Sequence, residues 1–283
     1  MGQVNDMSLE AGRIYRLVVN RITDLGYMLA LKDEEVFLHV NESMHRNPKV
    51  KDTVEAFLYH DFKGRLSATL HMPSATTERP AILDVKESVP GLGVFMDIGI
   101  SKDILLSKDD LPSDRTLWPR PGDRLHCRLS PKGRLHAEPV MPEGTVGPEP
   151  VQGDIISGHV QLIGKEGINI VTDDLVTVFV HNSMLEETVR LGQPVTATVT
   201  FVSDKGISAS MARRKEERID DDRQTILDYL LANGSMPLDA DSPPERIRLM
   251  FSMSKKAFKR ALGALYKERK IVFKDGRTVL IKD

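Results

Sequence analysis

The chain has 283 residues, a formal net charge of −2 and one cysteine, Cys127. A lone cysteine excludes an intramolecular disulfide and a cysteine-based zinc site, and it favours a reducing compartment such as the cytoplasm. No run of about 18 apolar residues occurs, and the first residues lack the basic and apolar segments of a secretory signal. We therefore expect a cytoplasmic protein without a membrane partner.

A short pattern of residues recurs three times along the chain. Each copy has a glycine-led apolar segment, a second apolar segment, and a turn with lysine and glycine. The copies are residues 26–31, 37–41 and 63–68; 93–98, 104–107 and 132–137; and 167–170, 179–182 and 205–209. The leading glycines lie 13, 13 and 14 positions before His39, Leu106 and His181, so we take these three residues as equivalent. Such regular spacing indicates one repeated supersecondary unit.

Each repeat predicts five short β-strands. In the first repeat they are expected at residues 12–21, 27–31, 36–40, 54–58 and 66–70. The second repeat, 81–140, and the third, 153–211, follow the same order. Because a flat sheet of five short strands leaves its edges unpaired, closure into a five-stranded OB-type barrel is the expected solution.

These residues resemble S1-type RNA-binding modules. The resemblance is carried by Gly-Leu-Gly-Val-Phe-Met-Asp-Ile-Gly at residues 91–99, Leu-His-Val-Asn at 38–41 and Gly-Arg-Leu-Ser at 64–67. Three such repeats before a small basic helical domain resemble the conserved virulence factor B (YitL-like) family of bacterial proteins, over nearly the whole chain. The resemblance implies RNA binding and post-transcriptional regulation of gene expression, in some species of virulence genes.

The resemblance also implies which residues would contact RNA. S1 modules stack bases on two aromatic residues that flank the glycine of strand two, and of the six equivalent positions only Phe95 is aromatic here. The others are Leu25, Met28, Leu92, Glu166 and Asn169. The expected contacts in the barrels are Phe95, Lys132, Arg134, His39, Arg65 and His181, and we expect Phe95 to lie near Lys132 and Arg134. Because each stacked base contributes roughly 1–3 kcal/mol, barrels without a full stacking platform should bind weakly.

Each of these residues also has an ordinary structural interpretation. Phe95 would be a core side chain, and His39 and His181 would be hydrogen-bonded structural histidines. The barrels would then be spacers or protein-binding modules. Tyr27 lies one position from the stacking site, on the opposite face of its strand, so we expect it in the core.

The repeats predict a division into domains. We expect barrels at residues 1–77, 78–140 and 153–219, a linker rich in proline and glycine at 141–152, and a winged helix at 220–283. Residues 1–77 contain 9 Lys and Arg against 10 Asp and Glu, residues 78–150 contain 10 against 12, and residues 151–219 contain 7 against 9. The last segment contains 13 against 10 and therefore carries the positive charge.

The last segment predicts three helices and a hairpin. The first helix is expected at about 223–231, with Asp220, Asp221 and Asp222 at its N-terminus, where the helix dipole favours negative charge. The second would be capped by Ser242, and the third would run from after Ser254 to about Glu268. Asp-Gly at 275–276 predicts a two-residue turn between strands 271–274 and 277–281. The expected fold class is thus mainly β, three tandem barrels, with an α+β C-terminal domain of winged helix-turn-helix type.

The third helix has two distinct faces. The apolar residues Phe258, Ala261, Leu262, Leu265 and Tyr266 form one stripe. Lys256, Arg260, Gly263 and Lys267 lie on the opposite face, and Glu268 is the only acid among eight basic residues in 255–274. We predict nucleic-acid contacts through Lys256, Lys259, Arg260, Lys267, Lys274 and Arg277. The alternative is the ordinary charged outer face of a surface helix.

Motifs of common enzymes do not occur in the sequence. It has no glycine-rich phosphate loop, no His-Glu-x-x-His and no Gly-x-Ser-x-Gly. We expect no catalytic residue, cofactor or metal, and we hypothesise a non-enzymatic protein whose barrels and winged helix bind single-stranded RNA together. The ribosome or RNA-processing proteins are further possible partners. The alternatives are a DNA-binding transcriptional regulator that uses the winged helix, and a scaffold in a ribosomal or RNA-decay assembly.

Overall fold

The computed structural model describes residues 8–185, 187–212 and 215–281, without the side chains of 215–220. The chain divides into two compact units, Met1–Met211 and Ala212–Asp283. We call them the barrel unit and the winged-helix unit.

The barrel unit contains three closed barrels of five strands each. Barrel 1 consists of β1 (Ile14–Thr23), β2 (Gly26–Leu31), β3 (Glu34–His39), β4 (Thr53–His60) and β5 (Leu66–Thr69). Barrel 2 consists of β6 (Ala81–Val89), β7 (Gly93–Asp97), β8 (Ile104–Ser107), β9 (Arg124–Ser130) and β10 (His136–Pro139). Barrel 3 consists of β11 (Ile155–Ile163), β12 (Gly167–Thr172), β13 (Thr177–His181), β14 (Pro194–Ser203) and β15 (Gly206–Ser210). In each barrel the strands follow the order first, second, third, fifth, fourth, and the third and fifth are parallel.

The repeated glycine has a steric reason in this topology. A Cβ on Gly26 would lie 2.1 Å from the carbonyl oxygen of Leu38, and a Cβ on Gly93 would lie 2.1 Å from that of Leu106. The second and third strands therefore approach too closely for any side chain at this position. This backbone contact explains why the glycine recurs at a regular spacing in the sequence.

Barrels 1 and 2 share apolar surface through β4. Ala56 and Leu58 are buried in the core of barrel 1, whereas Phe57 and Tyr59, which alternate with them, are buried in the cluster of barrel 2. A strand that is buried on both faces packs against neighbours on both sides. Tyr27 is buried in the core of barrel 1, as predicted.

Polar contacts join barrels 2 and 3. Arg190 donates two hydrogen bonds of 2.7 Å to the buried carboxylate of Asp123. The buried side-chain amide of Gln161 accepts from the backbone N–H of His126 at 2.9 Å and donates to its carbonyl oxygen at 2.8 Å. Between the two barrels, residues 141–152 form neither helix nor strand, and Val146 N–H donates to the carbonyl oxygen of Asp174 in barrel 3 at 2.8 Å.

The winged-helix unit has three helices and a three-stranded sheet. The elements are α1 (Lys215–Asn233), β16 (Ser235–Met236), α2 (Pro244–Phe251), α3 (Lys255–Lys267), β17 (Ile271–Lys274) and β18 (Arg277–Leu280). The sheet has the order β16, β18, β17, and Phe258, Leu262 and Leu265 of α3 are buried in the core. The predicted fold class, with three OB-type barrels and a winged helix, is confirmed.

Two local predictions were wrong in this unit, and one short strand was missed. The first helix begins at Lys215 and not near 223, so Asp221 and Asp222 lie within it; Asp220 is outside the residues whose side chains are described. Ser242 is not the N-cap of α2, because its hydroxyl bonds to Asp239 and Pro243 occupies the cap position. The short strand β16 pairs with β18 and was not predicted.

Candidate nucleic-acid interface

Phe95 lies in a cavity on the outer surface of barrel 2. On β7 the neighbouring Val94 and Met96 are buried inside the barrel, and the half-buried Phe95 points to the other side because side chains alternate along a strand. The cavity has a volume of about 210 Å³. Its wall is formed by His60, Leu92, Phe95, Lys102, Asp103, Ile104, Leu105, Arg134, Leu135 and His136. The Phe95 ring is therefore not a side chain of the barrel interior.

Positive charge predominates in this cavity. Burial, followed by the charges of Lys102 and Arg134, lowers the pKa of His60 and favours its neutral form. Burial and the nearby Arg134 also lower the pKa of Lys102. Asp103 is the one carboxylate in the wall, and burial together with Asp97 raises its pKa. An aromatic ring beside cations can hold a base and its phosphate.

The two basic residues predicted near Phe95 separate in the structure. Arg134 forms part of the cavity wall. Lys132 is exposed two residues earlier in the β9–β10 turn and does not contribute to the wall. The expectation that Phe95 lies close to both residues was thus correct only for Arg134.

In barrel 1, the side chain of Arg65 forms an ion pair with Asp61. Its guanidinium donates to Asp61 Oδ2 at 2.9 Å from Nε and at 2.7 Å from Nη2. The Arg65 backbone N–H, the main cause, and this guanidinium lower the pKa of Asp61. Barrel 1 has Met28 where barrel 2 has Phe95, since each pairs with the residue directly after the bulge on the first strand, Arg21 and Glu87. Arg65 therefore lies beside a neutralising carboxylate, and the aromatic on this face is Phe37 of β3, which pairs with Met28.

The histidines predicted to contact RNA cap short 3-10 helices. The Nδ1 of His39 accepts a hydrogen bond from Asn41 N–H at 3.1 Å, and that of His181 accepts from Ser183 N–H at 3.2 Å. In barrel 2 the same cap is Ser107, whose hydroxyl accepts from Asp109 N–H at 3.2 Å.

The register identifies Ser107 as the equivalent of these histidines. It pairs with Gly93 as His39 pairs with Gly26 and His181 with Gly167. The equivalence assigned to Leu106 was wrong by one residue, because the loop before β8 differs in length. The geometry gives both histidines the structural role that the sequence left as an alternative.

On α3 the predicted basic residues differ in their surroundings. Lys256 and Lys267 are exposed and form no ion pair with a described residue. Lys259 Nζ lies 3.3 Å from Asp241 Oδ1. Arg260 is half-buried, and its Nε is buried without a hydrogen-bond partner among the described residues. The most accessible positive charge of the helix is therefore at Lys256 and Lys267.

The hairpin after α3 contributes the remaining predicted residues. Lys274 is exposed, and the guanidinium of Arg277 donates to Ser235 Oγ at 3.1 Å. Tyr266 was predicted in the apolar stripe but is 54% exposed. It stacks on Phe273 of β17 with ring centroids 5.5 Å apart. Its position at the margin of the stripe explains the error, since 100° per residue places it near the boundary of the buried face.

His60 and Lys102 were not predicted from the sequence. His60 belongs to barrel 1 and reaches the Phe95 cavity because barrel 1 packs on barrel 2, whereas Lys102 lies in the loop before β8 of barrel 2. No local pattern marks either residue. Among the described residues there is no group of three or more His, Cys, Asp or Glu side chains that could hold a metal ion. None of the described helices has the length and apolar character needed to cross a membrane.

Comparison with known proteins agrees with this geometry. Residues 11–71 match the model of the S1 domain, residues 81–138 that of the CvfB first S1-like domain, and residues 224–280 that of the CvfB-like winged helix domain. The chain is 35% identical to YitL of Bacillus subtilis over 96% of this chain and 94% of YitL. It is 32% identical to conserved virulence factor B of Staphylococcus aureus over 83% of this chain and 81% of that protein. The chain belongs to the conserved virulence factor B (YitL-like) family.

A solved structure is similar over nearly the whole chain. This chain is similar to a multidomain protein with nucleic acid binding domains from Streptococcus pneumoniae, with a TM-score of 0.61 and 30% sequence identity. The match covers 96% of this chain and 98% of that one. The resemblance on which the family was predicted is thus confirmed.

Proposed function

We propose that this protein is a non-enzymatic, cytoplasmic RNA-binding protein that regulates gene expression after transcription. In this proposal the barrels and the winged helix bind the same single-stranded RNA. The observation that carries it is the cavity in barrel 2, where Phe95 lies among Lys102, Arg134 and two histidines. S1-like domains and a structural relative with nucleic acid binding domains support the same class of ligand.

Each half of the protein offers only part of a binding surface. The barrels have a single aromatic residue at the six stacking positions and a slight excess of acid. The winged-helix unit is small, but Lys256, Lys267 and Lys274 are exposed on it. Because tethering raises the effective concentration of a second weak site, the intact chain should bind far better than either part.

The proposal predicts a large loss on truncation. A chain that ends at Met211 keeps the three barrels and lacks the winged-helix unit. It should lose most measurable affinity for single-stranded RNA at physiological salt, while the melting of its barrels stays unchanged. Undiminished RNA binding by the truncated chain would contradict cooperation between the two units.

A DNA-binding regulator is the second candidate. Exposed cations on α3 and on the following hairpin favour it, because recognition helices of helix-turn-helix proteins lie in the major groove. Under this candidate, duplex DNA would compete strongly with single-stranded RNA, and Phe95 would make no difference to affinity.

A further inference from the structure

An exposed aromatic side chain lies beside the Phe95 cavity. Phe62 is at the tip of the turn between β4 and β5 of barrel 1, and it is 85% exposed. The turn is fixed, because Asp61 Oδ1 accepts from the backbone N–H groups of Lys63 at 2.8 Å and Arg65 at 2.9 Å. The fold thus presents a large apolar ring to solvent on an ordered support.

Two cations of barrel 2 connect this ring to the cavity. Lys102 Nζ donates to the carbonyl oxygens of His60 at 2.5 Å and Asp61 at 3.1 Å, and it lies 5.2 Å from the centroid of the Phe62 ring. Arg134 Nη2 donates to the carbonyl oxygen of Phe62 at 3.4 Å. Both cations also form the wall of the Phe95 cavity. The same two cations therefore contact Phe62, Lys102 at its ring and Arg134 at its carbonyl oxygen, and form part of the Phe95 cavity.

Barrel 2 lacks the aromatic that Phe62 is placed to supply. The position before its strand-two glycine is Leu92, which lies at the rim of the cavity and is 45% exposed. At the position of Phe62, two residues before the turn glycine, barrel 2 has Pro131 and barrel 3 has Asp204. Among these three equivalent turns, only that of barrel 1, which lies beside the Phe95 cavity of barrel 2, has an aromatic residue.

We propose that Phe62 of barrel 1 and Phe95 of barrel 2 form one composite site for two consecutive nucleotides of single-stranded RNA. One base packs against Phe95 in the cavity, the adjacent base stacks on Phe62, and the phosphate between them contacts Lys102 and Arg134. The cations retain the capacity for this contact, since an ammonium has three donors and a guanidinium has five. Hydrogen bonds from both to phosphate are charge-assisted. The inference rests on the proposed function and gives it a binding unit.

The test uses the full chain and a labelled oligouridine of about ten nucleotides, within the range of an OB-fold site. Phe62→Leu keeps an apolar side chain without an aromatic face, and Phe62→Trp restores the face. Phe201→Ala is the matched control, because Phe201 is an exposed aromatic, 59% exposed, on β14 of barrel 3. We expect Phe62→Leu to weaken binding about tenfold, with Phe62→Trp and Phe201→Ala close to wild type.

The outcomes separate this inference from the proposed function. If Phe62→Leu binds like wild type while Phe95→Ala is weakened, the composite site is wrong and RNA binding stands. An equal loss in Phe62→Leu and Phe201→Ala would also overturn it. If the wild-type chain does not bind the oligouridine, the proposed function itself fails. Melting temperatures should be equal for wild type and the Phe62 and Phe201 variants, since both side chains are exposed.

Discussion

Arg124 Nε of barrel 2 donates a hydrogen bond of 2.7 Å to His159 Nε2 of barrel 3. A guanidinium can only donate, so this ring nitrogen accepts and His159 is neutral. Burial, the largest cause, and the charge of Arg124 lower the pKa of His159. Asp173, Asp84 and a backbone hydrogen bond with Val171 act in the opposite direction. Protonation of His159 is therefore incompatible with this contact between two barrels.

The contact predicts a loss of stability in acid. Below the ordinary histidine pKa of about 6.5, the unfolded chain takes up a proton while the folded ring stays neutral. The stabilisation is complete above that pH and is lost as the pH falls through the lower folded-state pKa. Thermal unfolding of wild type and His159→Gln, from about pH 7.5 to about pH 5, should show a steeper fall for wild type. Parallel curves for the two chains would rule out this role of His159.

Substitution of the glycine that leads each repeat should strongly destabilise its barrel. In Gly93→Ala the new Cβ would lie 2.1 Å from the Leu106 carbonyl oxygen, at a backbone φ of 144° that L-residues rarely adopt. Backbone atoms cannot yield as a flexible side chain can. We expect a loss of about 3 kcal/mol or more in the free energy of unfolding, measured by denaturant titration.

Gly144→Ala is the control for this prediction. A Cβ at Gly144 meets no atom within 4 Å, and its φ is not in the restricted region. This variant should unfold like wild type. If Gly93→Ala is as stable as Gly144→Ala, the close approach of β7 and β8 is not as described.

The sequence predicted the barrels because their repeat has a local physical cause. The cap and the turn each satisfy a backbone requirement within a few residues, as His39 and Gly64 do in barrel 1, and Gly26 meets the neighbouring strand of the same repeat. The composite cavity has no such local cause. Lys102 and the carbonyl of His60 are 42 residues apart in sequence and meet only when barrels 1 and 2 pack.

Electrostatic partners were equally hidden from the sequence. The composition of α3 predicted a basic face, but it did not show that Asp241, outside the helix, would pair with Lys259. The predicted contact residues of both units therefore stay predictions. Lys256 and Lys267 are exposed, whereas Phe95 is half-buried in its cavity.

Removal of the Phe95 ring should weaken RNA binding and leave the fold intact. The side chain is half-buried on the outside of β7, so Phe95→Ala opens no void inside the barrel. Loss of one stacked base should cost roughly 1–3 kcal/mol in a fluorescence anisotropy titration with single-stranded RNA. Met28→Ala makes the equivalent truncation in barrel 1 and should leave affinity almost unchanged. Equal affinities for the two variants would mean that the barrel 2 cavity is not a base site.

The basic face of α3 should contribute phosphate contacts. We expect the Lys256/Arg260/Lys267 triple alanine variant to lose much of the RNA affinity. The slope of log Kd against log salt should become shallower, by up to about three phosphate contacts. Because Lys256 and Lys267 are exposed and Arg260 is half-buried, melting temperature should change little.

A triple variant of equal charge tests whether position matters. Arg16, Lys49 and Lys165 are exposed residues of the barrel unit outside the predicted contacts. Their joint replacement by alanine removes the same three charges and should have a clearly smaller effect on affinity and on salt slope. Equal losses of affinity in the two triple variants would mean that total charge, and not the position of the basic face, determines binding. Unchanged binding in both variants would favour the scaffold alternative.

Competition between nucleic acids tests the central claim most directly. The intact chain is titrated with labelled single-stranded RNA in the presence of unlabelled duplex DNA of equal length, at two salt concentrations. Salt weakens the phosphate contacts that both ligands share, whereas stacking on Phe95 requires unpaired bases. The account predicts that single-stranded RNA is preferred at both concentrations and that the preference increases at the higher one. A preference for duplex DNA of about tenfold or more, or 1.4 kcal/mol, would contradict it and would place the DNA-binding regulator first.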